Sequence, residues 1–84
     1  MSVEQQTTRV LTSLRAILEQ AGATLDHVVK VTIYVSDIQS WPVINEIYAE
    51  TFGDHLPARA IVPVPELHYG AALELEAIAV DPGL

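Results

Sequence analysis

Residues 27–35, HVVKVTIYV, alternate between two faces: Val29, Val31, Ile33 and Val35 point one way, and Val28, Lys30, Thr32 and Tyr34 the other. β-Branched residues dominate, so the segment reads as a strand. Helical patterns flank it on both sides, and that placement constrains the fold more than any other feature of the chain. Upstream, Ser2 opens SVEQ, the spacing of a capping box in which Ser2 caps the helix and Gln5 reaches back. Val3, Val10, Leu11, Leu14, Ile17, Leu18 and Ala21 then form an amphipathic stripe that stops at Gly22. Downstream, Ser40 is the expected cap of a second helix, with Pro42 in its first turn. Its apolar face is Trp41, Ile44, Ile47, Tyr48 and Phe52, and Gly53 ends it.

A second strand is expected over residues 58–64, where Pro63 marks an edge or a strand end, and a third over residues 72–80. The order is helix, strand, helix, strand, strand. Two strands joined through a helix are expected to run parallel with a right-handed crossover, and the last two to run antiparallel. Both helices then cover one face. On the second and third strands the helix-facing rows read as Ala58, Ala60, Val62, Val64 and as Leu73, Leu75, Ala77, Ala79. The open face then carries Lys30, Thr32 and Tyr34, Arg59 and Ile61, and Glu74, Glu76 and Ile78.

The 84 residues make one domain, 1–84, with a thin core. Yet 50% of the residues are hydrophobic, more than such a core hides, so the surplus points to subunit contacts and a homo-oligomer. A net charge of −7 with only 4 Lys+Arg excludes nucleic-acid binding, which needs a basic patch to displace counterions. No apolar run approaches the roughly 20 residues of a membrane span, and the N-terminus has no signal-peptide layout. The absence of cysteine removes thiolate chemistry and fits an intracellular protein.

Against this background Arg59 stands out, an always-charged fork of donors inside an apolar run. On these faces it shares the open side with Glu74 and Glu76 of a neighbouring strand. One reading is a solvated face with cross-strand ion pairs. The other is an anion-binding arginine beside a carboxylate that handles a water or a proton. His27, His55 and His68 lack metal-ligand spacing and fall at turns or loops. No Gly-rich loop follows a strand to cradle phosphate, and no signature assembles a Ser/His/Asp triad. Trp41 fits the core stripe of its helix, or walls a pocket at the helix start.

VVKVTIYVSDI, INEIYAETF, PARAIV and the terminal ELEAIAV together resemble the C-terminal two-thirds of the RidA/YjgF family, the reactive-intermediate (imine/enamine) deaminases. The resemblance implies a chorismate-mutase-like α+β fold and cytoplasmic homotrimers with clefts between subunits. It implies hydrolysis of 2-imino or enamino acids to 2-oxo acids and ammonia, without metal or cofactor. Carried over by motif, Arg59 binds the substrate's carboxylate, Glu74 positions the water and Trp41 lines the cleft. Ile61 stands in the cleft position where the family usually has cysteine or a small polar residue. The family's N-terminal strands, with GPYSQA-like and SGQ-like motifs, have no counterpart in these residues. A fragment or a short member with a differently built cleft is therefore expected, and a non-catalytic carboxylate-binding or oligomeric interaction protein is the alternative function.

Overall fold

The computed structural model describes residues 1–81. Two helices, α1 (Val3–Gln20) and α2 (Trp41–Phe52), pack on one face of a three-stranded mixed sheet of β1 (Val28–Val35), β2 (Ala58–Pro63) and β3 (Leu73–Ala79). Both arms of the capping box form: the Ser2 hydroxyl accepts from the Gln5 backbone N–H at 3.1 Å, and Gln5 Oε1 accepts from the Ser2 N–H at 2.9 Å. Gly22, at φ +78°, takes the left-handed position just beyond α1.

The start of α2 differs from the sequence expectation. Ser40 already has helical angles (φ −78°, ψ −11°) and makes no capping bond. Asp37 does that work one turn earlier, its Oδ1 accepting from the Gln39 N–H at 2.9 Å. It caps a 3₁₀ turn, Ile38–Ser40, that runs directly into α2. A residue wound into that turn cannot take the extended backbone of an N-cap.

β1 is the central strand: β2 joins it in parallel and β3 in antiparallel fashion, giving the order β2-β1-β3. The third strand therefore pairs with the first, and β2 and β3 are not neighbours. Val31, Ile33 and Val35 are fully buried beneath Leu11, Ile44, Tyr48 and Phe52, with Leu73 beside them. Each such aliphatic side chain contributes roughly 1.5–3 kcal/mol by leaving water.

Two face assignments need correction. The register of β1 against β3 slips between Val28 and Lys30, a bulge that buries Val28 completely and leaves Val29 44% exposed. The His55 Nε2–H donates to the Val28 carbonyl at 2.7 Å and holds the bulge. In β2, Arg59 lies beside Val31 and Ile61 beside Ile33 in a parallel ladder. Arg59 and Ile61 thus stand on the helix-covered side, and Ala58, Ala60 and Val62 on the open side. The small apolar residues of β2 suit either face, because an edge strand at the rim of a two-helix layer has only part of one face covered.

Candidate functional site

From the edge strand β2, the Arg59 side chain reaches residues of α2. Its guanidinium carbon lies 5.0 Å from the centre of the Trp41 ring and 5.0 Å from that of Tyr48. Nη1 donates to Asn45 Oδ1 at 2.7 Å. Among the described residues no carboxylate pairs with Arg59, so the cross-strand ion pair open from sequence does not form. The side chain is exposed. Ile61, two residues on, is half-buried and packs against the core. Trp41 is half-buried at the first turn of α2. Arg59, Trp41 and Ile61 therefore share one side of the sheet.

Glu74 does not join them. It pairs with Tyr34 in the antiparallel ladder, on the open face of β3. Arg59 sits level with Val31, three residues back along β1, on the far strand and the opposite face. At strand spacings of about 4.8 Å and a rise of about 3.3 Å per residue, their Cα atoms are roughly 14 Å apart, with side chains pointing away from each other. One small ligand cannot touch both within a single chain.

The open face carries a second polar arrangement. The Tyr34 hydroxyl donates to Glu76 Oε1 at 3.1 Å. That hydrogen bond, then the charge of Glu76, hold the phenol above its usual pKa, with Glu74 adding to the effect. Glu76 is thereby engaged, whereas Glu74 has no hydrogen-bond partner among the described residues. Glu74 lines a groove of about 880 Å³ between α1 and β3, whose apolar wall includes Val10, Leu14, Ile17, Leu75 and Ala77.

Asn45 and Tyr48 are the residues that sequence reasoning missed. Their signal was the spacing from Trp41, i+4 and i+7, which sets all three on one flank of α2. Tyr48 is 96% buried by its 4% exposure, and its hydroxyl has no hydrogen-bond partner. Burial pushes its pKa up, with Arg59 pulling the other way. The three histidines serve local structure or lie at the surface: His27 Nδ1 accepts from the Thr24 N–H, His55 holds the bulge, and His68 is exposed.

The family model for endoribonuclease L-PSP matches residues 1–81. A RutC family protein from Pyrococcus abyssi is 47% identical over 77 residues, which are 92% of this chain and 61% of that protein. The 2-iminobutanoate/2-iminopropanoate deaminase of Rattus norvegicus is 41% identical over 79 residues, 94% of this chain and 58% of that protein. The structure of E. coli TdcF with bound serine superposes with a TM-score of 0.90 at 34% identity, covering 95% of this chain and 65% of that one. The chain thus spans about 60% of the length of the curated relatives it matches. With matching motifs, helix and strand order and sheet topology, it belongs to the endoribonuclease L-PSP family, that is, the RidA/YjgF family.

Proposed function

We propose that the protein hydrolyses 2-imino acids to 2-oxo acids and ammonia, at a site shared between two subunits of a homo-oligomer. One observation carries the reading: Arg59 is held by neutral groups and spends its charge on no carboxylate of the described chain. A planar, bidentate cation of this kind fits the carboxylate that every 2-imino acid carries. The relative named as an imine deaminase and the relative holding serine, an amino acid with such a carboxylate, support the same substrate class.

The chemistry needs little else. The C=N carbon is already electrophilic, so water adds to it once a carboxylate accepts the water's proton. That proton passes to the nitrogen to give a carbinolamine. Its hydroxyl proton then follows to the nitrogen through the same carboxylate, so that the C–N bond breaks and ammonia leaves as the C=O forms. Glu74, the glutamate not engaged by Tyr34, takes the role of proton acceptor. Since Arg59 and Glu74 of one chain point away from each other, the Glu74 at a given site belongs to the adjacent subunit. Trp41 walls the cleft beside the substrate's side chain.

A second reading, binding of small carboxylates without hydrolysis, needs only Arg59 and its neutral neighbours, because Glu74 lies on the opposite face of the same sheet. An assay that generates 2-iminobutanoate in situ and follows its loss separates the two. Hydrolysis above the spontaneous rate, abolished by Glu74→Gln, supports the enzyme. Binding of 2-oxobutanoate without hydrolysis leaves the carboxylate-binding reading alone.

A further inference from the structure

Trp41, Asn45 and Tyr48 each touch Arg59, and none of them carries a charge. An exposed arginine on an edge strand ordinarily samples many rotamers. Here two aromatic faces attract the cation through their ring quadrupoles, and an amide oxygen takes one N–H of Nη1. A carboxylate in place of Asn45 would hold the guanidinium more strongly but would also neutralise it. Neutral groups restrain the side chain and leave its charge available.

We propose that this flank of α2 is a cradle that fixes the Arg59 guanidinium before a ligand arrives, with Nη1 committed to Asn45 and the Nε–Nη2 edge presented outward. Asn45 and Tyr48 are positioning residues, and Trp41 is the outer wall of the cradle. The inference rests on the carboxylate-binding reading of Arg59 and deepens it. Pre-ordering spares the ligand the entropy of freezing a long side chain, and so tightens binding without a new contact. The part of Tyr48 that matters is its ring. That ring is packed against Phe52 with centroids 4.6 Å apart, whereas its hydroxyl is buried without a partner. Phenylalanine at this position therefore preserves the cradle, and leucine does not.

The order of the side chain and the binding of a ligand are read separately. ¹⁵N relaxation of the arginine Nε–Hε groups compares Arg59 with Arg9 and Arg15, which are exposed on α1. Calorimetry measures 2-oxobutanoate binding to the same samples, and melting curves confirm that each variant folds. In the wild type Arg59 is expected to be the ordered one of the three. Asn45→Ala and Tyr48→Leu loosen it and weaken 2-oxobutanoate binding by about fivefold to tenfold, whereas Tyr48→Phe leaves both unchanged. Asn45→Asp keeps Arg59 ordered yet weakens binding by about tenfold or more, because the new carboxylate competes for the fork. If Tyr48→Leu fails to fold, the two Asn45 variants, at a half-buried position, decide the matter. An Arg59 as mobile as Arg9 and Arg15 overturns the cradle whatever binds. Variants with a loosened Arg59 that bind as tightly as wild type overturn its positioning role. An ordered Arg59 in a wild type that does not bind 2-oxobutanoate overturns the carboxylate reading instead, and with it the presented edge.

Discussion

Arg59 stands beside Val31 in the parallel ladder, while Glu74 stands opposite Tyr34 in the antiparallel one. Because Val31 faces the helices and Tyr34 does not, these two registers send the arginine and the glutamate to opposite sides of one sheet. Under the proposed function, this separation requires the two residues of one site to come from two subunits. It also gives each residue a distinct set of neighbours, aromatic rings for Arg59 and an acidic open face for Glu74.

Arg59→Lys keeps the charge but loses the fork and much of the stacking. A charge-assisted bidentate contact contributes about 1.5–3 kcal/mol, so 2-oxobutanoate binding should weaken by roughly tenfold to a hundredfold. Stability should fall by no more than about 1 kcal/mol, the scale of an exposed cation–π contact. Calorimetry and a denaturant titration on one preparation check both figures.

Ile33 is fully buried at the centre of β1, and Ile33→Ala should cost about 2–5 kcal/mol. In a domain this small, with roughly 5 kcal/mol of stability in all, most of the variant should unfold or aggregate. Val62 lies on the open side beside Tyr34, half-buried, and Val62→Ala should cost less than about 1 kcal/mol in the monomer. Equal losses at the two positions, read from urea midpoints, would mean the β2 register is wrong.

Tyr48 and Tyr34 both have raised pKa values, the first chiefly through burial, the second chiefly through its hydrogen bond to Glu76. The sign follows from linkage: a phenol whose folded pKa exceeds the unfolded value near 10 contributes stability below that pH and loses it as pH rises through the folded pKa. Stability should therefore be insensitive to these groups at neutral pH and fall above about pH 10. Tyr48→Phe should be neutral or slightly stabilising at pH 7, since it removes a buried hydroxyl without a partner, and should blunt the alkaline loss. Melting temperatures of both proteins across pH 7 to about pH 11 test this.

Much of the architecture was legible because it rests on local rules. The SVEQ capping box formed as spelled, the alternation of β1 buried Val31, Ile33 and Val35, and the apolar face of α2 placed Ile44, Tyr48 and Phe52 in the core. What escaped depends on relations between segments. The bulge that buries Val28 is a slip of one strand against another, and no pattern within HVVKVTIYV encodes it. Apart from Arg59, β2 is apolar on both of its rows, so its other residues could not say which side the helices cover. The link of Arg59 to Asn45 and Tyr48 needed that facing to be known first. The Tyr34–Glu76 bond was reachable, since both residues were already assigned to the open face and only the pairing of β3 with β1 was lacking.

Self-association is an expected outcome of the surfaces on the described chain. Ile17, Ile78 and Val80 are more than half exposed, and the outer edge of β3 has no strand partner among the described residues. Apolar patches beside an open edge favour contact with another chain. Sedimentation at micromolar concentration should give a mass well above the 9.2 kDa of one subunit. A mass equal to one subunit would remove the shared site.

The most direct measurement mixes two inactive variants. Arg59→Ala and Glu74→Gln, each devoid of 2-iminobutanoate hydrolysis alone, are unfolded together in equal amounts and refolded. If every site takes Arg59 from one subunit and Glu74 from the next, about one site in four regains both wild-type residues in a randomly mixed ring. Roughly a quarter of wild-type activity should then return. If both residues act within one chain, no mixed oligomer contains an intact site, and a mixture as inactive as its components would contradict the shared site.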